Sequence, residues 1–141
     1  MEYIVDTMLG KLARHLRIFG YDTIYSTDLD DDRIIEMARG GRTIITRDRE
    51  LVKRAHIKGL DALLIESTGL EQALAQMIEE GLVRKSDLRI GTRCSLCNSL
   101  LDKCDNGTWI CVACGQRYWL GGHWRNISEL MRRVGLLDCH E

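Results

Sequence analysis

The sequence predicts an α/β domain built on a parallel sheet, joined to a small cysteine-rich ribbon. Three observations carry that reading. Short β-favouring apolar runs alternate with amphipathic helical stretches along residues 1–90. Those residues hold no cysteine, whereas all six cysteines fall between Cys94 and Cys139. The chain is 45% apolar and 29% charged, a globular balance that excludes a disordered chain. At 141 residues it has room for one domain and a small appendage. The change in composition sets a boundary near Ile90–Arg93, dividing the chain into 1–90 and 91–141.

Tyr3-Ile4-Val5 is a short apolar run suited to a buried strand. Met8, Leu9, Leu12, Ala13, Leu16 and Phe19 then recur at helical spacing, and Gly20 is placed to end that helix. Asp22 to Tyr25 gives a second strand. Asp30 to Ala38 gives a second helix, with acids in its first turn, stopped by Gly40-Gly41. Thr43-Ile44-Ile45-Thr46 is β-branched throughout and reads as a central strand. A short helix from Asp48 to Ala55, a strand over Ala62–Ile65 and a helix from Glu71 to Glu80 complete the alternation. Farther on, Thr108–Ile110 and Arg117–Trp119 read as ribbon strands, and Asn126 to Val134 as a helix.

The net charge of −1 excludes a uniformly basic nucleic-acid-coating protein but permits a local basic patch. Residues 1–90 carry a net −2 and residues 91–141 a net +1. No apolar run approaches the ~18 residues of a membrane span, so no membrane partner is expected. Glu2 and Asp6 interrupt the N-terminus as a signal peptide. A cytoplasmic location is therefore the expectation, and there clustered thiols read as metal ligands before disulfides.

In parallel α/β sheets, sites form beyond the carboxyl ends of the strands. Three strand exits deliver acids there: Asp6 after the first, the run Asp28, Asp30, Asp31, Asp32 after the second, and Asp48 after the third. Glu50 follows two residues later. Crowded carboxylates repel unless a cation neutralises them. Mg²⁺ and Mn²⁺ favour oxygen ligands and suit phosphodiester hydrolysis, so they are the expected catalytic ions. Lys11, Arg14, Arg17 and Arg47 are candidates to hold a phosphate backbone, although the first three also suit a solvated helix face. Asp28, Asp30 and Asp32 are read as helix-capping acids.

Cys94-x-x-Cys97 and Cys111-x-x-Cys114, separated by 13 residues, have the spacing of two knuckles sharing one structural Zn²⁺. Cys104 and Cys139 are then spare thiols, and His123 and His140 surface histidines. Trp109, Tyr118, Trp119 and Trp124, interleaved with Arg117, Arg125, Arg132 and Arg133, suit either single-stranded RNA or a small ribbon core.

The stretches Val5–Tyr25 and Asp28–Leu51, followed by the cysteine pairs, resemble a PIN-like ribonuclease domain fused to a C-terminal zinc ribbon, the Mut-seven C-terminal RNase family. The resemblance implies a three-layer fold. It also implies a catalytic Mg²⁺ or Mn²⁺ site built from Asp6, Asp31 and Asp48, with Glu50 as a further acid. The acidic run leaves the second position open between Asp30, Asp31 and Asp32. RNA is the implied substrate, Arg125 a further candidate contact, and a homodimer a further implication. A non-catalytic RNA- or ribosome-binding protein on the same fold is the alternative, and a zinc-dependent protein-interaction module a third.

Overall fold

The computed structural model describes residues 1–104, 108–118 and 122–137. The first region contains β1 (Glu2–Val5), a 3₁₀ turn (Thr7–Leu9), α1 (Gly10–Ile18), β2 (Asp22–Ile24), α2 (Asp31–Ala38), β3 (Thr43–Thr46), α3 (Arg49–Ile57), β4 (Ala62–Leu64) and α4 (Leu70–Glu79). The four strands form one parallel sheet in the order β2-β1-β3-β4. The central strands β1 and β3 are the most buried ones, through Tyr3-Ile4-Val5 and Ile44-Ile45-Thr46, as cover on both faces requires.

Alternation along those strands divides the core into two layers. Tyr3, Val5 and Ile45 face α1 and α4, through Leu12, Leu16, Leu74 and Met77. Ile4 and Ile44 face α2 and α3, through Ile34, Ile35, Leu51 and Ala55. Helices thus flank the sheet on both sides, as the alternation of strand and helix signals predicts.

The C-terminal region contains a small antiparallel sheet, β5 (Asp102–Lys103), β6 (Trp109–Ile110) and β7 (Arg117–Tyr118), followed by α5 (Gly122–Arg133). The two-residue strand β5 has no sequence signal of its own and is defined by its pairing with β6. Leu130, Met131 and Leu136, in and just after α5, are buried in the same cluster as α1 and α4. The helix expected with the ribbon therefore returns to the α/β core. Its apolar face explains this, because the ribbon is too small to cover it. Expectations for Trp119, Cys139 and His140 fall outside the described residues.

The cysteine region docks on the edge strand β2. Arg17, which is 4% exposed, donates from Nε to the Thr23 carbonyl at 2.9 Å and from Nη1 to the Ser95 carbonyl at 3.0 Å. Asn98 accepts from the Thr23 amide through Oδ1 at 3.0 Å and donates to Asp22 Oδ1 at 2.7 Å. That side chain occupies an edge amide that would otherwise be open to another strand. Burial works against the Asp22 charge, but hydrogen bonds from Arg42 and Asn98 outweigh it and hold the carboxyl below its ordinary value.

Gly20 closes α1 at φ +103°, a region L side chains rarely adopt. A Cβ there would lie 2.6 Å from Arg89 Cβ and 2.9 Å from its carbonyl oxygen. Gly20→Ala is expected to lower stability by roughly 2 kcal/mol, adding the left-handed penalty to the clash. A denaturant midpoint unchanged from wild type would contradict this.

Candidate functional site

The carboxyl edge of the sheet collects the acids. Asp6 continues β1 by one residue, its amide donating to the Ile45 carbonyl at 2.9 Å. Thr46, fully buried at the end of β3, donates from Oγ1 to Asp6 Oδ2 at 2.7 Å. The same Oγ1 accepts the Asp48 amide at 3.0 Å. One hydroxyl thus sets the positions of both acids. Thr7 Oγ1 donates to Asp6 Oδ1 at 3.3 Å.

Asp48 N-caps α3, its Oδ1 accepting the Glu50 amide at 2.9 Å and the Leu51 amide at 3.4 Å. A single oxygen does the capping, and among the described residues Oδ2 receives no hydrogen bond.

The acidic run separates by role. Asp30 N-caps α2, accepting the Arg33 amide at 2.8 Å. Asp32 pairs with Arg54. Asp31 opens α2 half-buried, and its pKa is raised by burial and then by the charges of Asp48 and Asp6. Asp31 is thus the member of the run that shares a field with the other two acids. Glu50 is exposed and lies 3.5 Å from Lys53 on the surface of α3. The acids are not drawn into a tight cage. Among the described residues, the group of potential ligands with atoms all within 4.8 Å of one another is the cysteine set.

Relief of this repulsion is measurable. In metal-free protein, Asp31→Asn is expected to raise stability by up to about 0.5 kcal/mol, since the site is partly screened by solvent. Thermal melts of the two proteins side by side check it, and a lower midpoint for the variant would refute it.

The cations divide. Lys11 and Arg14 stand exposed on α1, and Arg125 exposed on α5. Arg17 does not belong with them. Its guanidinium is buried and committed to two carbonyls, because its position turns inward toward β2 and the cysteine region. The expected phosphate role is corrected to a structural one. Arg47 donates from Nη2 to the Glu66 carbonyl at 3.3 Å, while its buried Nε has no hydrogen-bond partner among the described residues. Arg133 pairs with Glu71 of α4 at 2.6 Å.

Cys94, Cys97, Cys111 and Cys114 have sulfurs all within 4.8 Å of one another. The Cys94–Cys114 and Cys97–Cys111 separations are 3.6 and 3.4 Å. Four thiolates about 2.3 Å from one ion, arranged tetrahedrally, would stand about 3.8 Å apart, so this set could hold zinc. The two knuckles are built alike. The Asn98 amide donates to the Cys94 carbonyl at 2.9 Å, and the Gly115 amide to the Cys111 carbonyl at 2.7 Å. Both residues have positive φ, 74° and 80°. Tyr118 Oη lies 3.0 Å from Cys94 Sγ. Cys104 is a free thiol outside this group.

Thr46 and Asn98 escaped the sequence reading. Thr46 was legible as the first position of a Thr-x-Asp segment. Asn98 was legible as the position that matches Gly115 in the other knuckle.

An α/β domain with acids gathered at its strand ends, clamped to a four-cysteine double knuckle, is the class these features define. The family model of the Mut7-C RNAse domain matches residues 1–108. The chain belongs to that family, whose description points to a ribonuclease-type function. The curated proteins and the solved structures gave no match. No helix among the described residues is long and apolar enough to cross a membrane.

Proposed function

We propose that the protein is a divalent-metal-dependent ribonuclease that hydrolyses RNA phosphodiester bonds, with a structural zinc in its cysteine region. The placement of Asp6, Asp31 and Asp48 beyond the carboxyl ends of three adjacent strands, with the Thr46 hydroxyl bonded to both Asp6 and Asp48, carries the reading, and the raised pKa of Asp31 accords with it. These hard oxygen donors fit Mg²⁺ or Mn²⁺. Bound there, such an ion supplies charge neutralisation and a water of lowered pKa.

The chain's own residues do the rest. Thr46 orients one carboxylate oxygen of Asp6, and the Asp48 cap leaves Oδ2 available. Arg47, next to Asp48 at the sheet edge and with no acceptor for its Nε among the described residues, offers its guanidinium group to a phosphate. Lys11, Arg14 and Arg125 offer the backbone further positive charge. Glu50, exposed beside Lys53, is assigned an outer role.

The test is labelled single-stranded RNA incubated with the zinc-loaded chain, with and without added Mn²⁺ or Mg²⁺. Cleavage only with the added ion is expected. Cleavage that ignores the ion would refute metal dependence, and RNA binding without cleavage would favour the RNA-binding alternative.

A further inference from the structure

At the opposite end of α1 from the carboxylates lies a mainly apolar cleft of about 880 Å³. It forms where the α/β core, the cysteine region and α5 meet. Ile18, the last residue of α1, lines it, with Trp109, Tyr118 and Trp124. Its described lining includes three cations, Lys85, Arg93 and Arg117, and no carboxylate; Arg93 lies 3.8 Å from Asp22, and Arg117 is exposed.

We infer that this cleft seats bases of the same single-stranded RNA whose phosphodiester is cut at the carboxylates. The inference rests on the ribonuclease reading and extends it to how substrate is held. Aromatic faces accept any base, and neighbouring cations attract the backbone. The described lining carries no acid and presents the exposed Arg117, which favours a polyanion over an apolar peptide.

The path between the two ends is already built. Positions 11, 14 and 18 fall on one side of an α-helix. Lys11 and Arg14 are exposed on that side, and Ile18 opens into the cleft. Seven residues at 1.5 Å each put the two ends about 10 Å apart along the axis. A single strand anchored by its bases in the cleft would thus run over Lys11 and Arg14 toward Asp6. Arg17, buried beneath this face, positions the cysteine region and so forms the cleft wall.

Binding is best read in the zinc-loaded full chain carrying Asp6→Asn, so that cleavage does not intrude. Labelled oligouridylate is the probe, and tryptophan emission is recorded alongside. Trp124→Leu and Arg117→Glu are each expected to weaken binding roughly tenfold. Addition of RNA is expected to quench emission in the chain with an intact cleft. Arg117 is exposed, so its reversal decides the matter if Trp124→Leu fails to fold. Unchanged affinity in both variants overturns the cleft, even if the wild-type chain cleaves RNA. Weakened binding beside an inactive wild-type chain supports the cleft and refutes the nuclease reading instead. No RNA binding by the intact cleft overturns the inference and leaves the site to an apolar peptide.

Discussion

Replacing Asp6 and Asp48 together by asparagine is expected to reduce RNA cleavage by roughly a thousandfold or more while leaving the fold intact. Losing one preorganised electrostatic group commonly costs 10²–10³ in rate, and this pair is two of the three carboxylates proposed to hold the ion. The fold should survive because asparagine caps a helix about as well as aspartate, so the Glu50 and Leu51 amides keep an acceptor. At position 6 the amide oxygen can still accept from Thr46. Removing two charges also relieves the repulsion that raises the Asp31 pKa. The melting midpoint of the metal-free double variant is therefore expected at or above that of wild type. Cleavage rates and melts on the same preparations check both halves. A rate within a few-fold of wild type would end the catalytic assignment.

The sheet was the most legible part of the sequence, for a physical reason. Strands buried on both faces need apolar or β-branched runs, and β1 and β3 supply them in Tyr3-Ile4-Val5 and Thr43-Ile44-Ile45-Thr46. Helix ends were legible to within a residue or two where a chemical signal existed. Asp30 and Asp48 are N-caps rather than first helical residues, and Gly20 turns the chain at positive φ. The roles within the acidic run were not legible. Four nearby aspartates look alike in sequence, and only packing sends one to an N-cap, one to Arg54 and one toward Asp48 and Asp6.

Arg17 shows the complementary failure. Its spacing with Lys11 and Arg14 suggested one basic face, yet i, i+3, i+6 drifts around the helix by about 60° per step and about 120° in all. That drift carries Arg17 from solvent into the seam with Ser95. Periodicity gave the direction of Lys11 and Arg14 correctly, and the same arithmetic would have turned Arg17 inward. The partner waiting there, a knuckle carbonyl 78 positions away in the chain, had no local signature. Likewise the apolar face of α5 announced burial, but not that it would join the core of α1 and α4.

Removing the proposed zinc is expected to unfold the cysteine region and loosen β2, the largest stability effect in the molecule. Structural zinc in small knuckle domains binds with apparent free energies of about 10–16 kcal/mol, which are folding free energies where no other core exists. Between Cys94 and Tyr118 the buried residues among those described are Cys94 and Cys111, so the metal has little apolar packing to fall back on. The thiols are not equally ready for it: against a hydrogen bond from the Gln116 backbone, burial and hydrogen bonds with the other three thiols push the Cys114 thiol up to about 12, so binding must displace its proton. Hydrogen bonds from Ser99, side chain first and then backbone, hold the Cys97 thiol down to about 6, which favours the thiolate ligand at neutral pH. Loss of the knuckle also removes Asn98 from Thr23 and Asp22, and Ser95 from Arg17. A buried guanidinium without its acceptor and an edge strand without its cover then destabilise the sheet from one side. Cys97→Ser, or a chelator strong enough to strip zinc, should therefore speed hydrogen exchange in residues 94–118 and, to a smaller extent, at Thr23. The strands β3 and β4, two and three places removed from that edge, should keep their protection. Exchange unchanged at Thr23 would show that the two regions fold independently, and unchanged exchange across 94–118 would show that the four cysteines hold no structural metal.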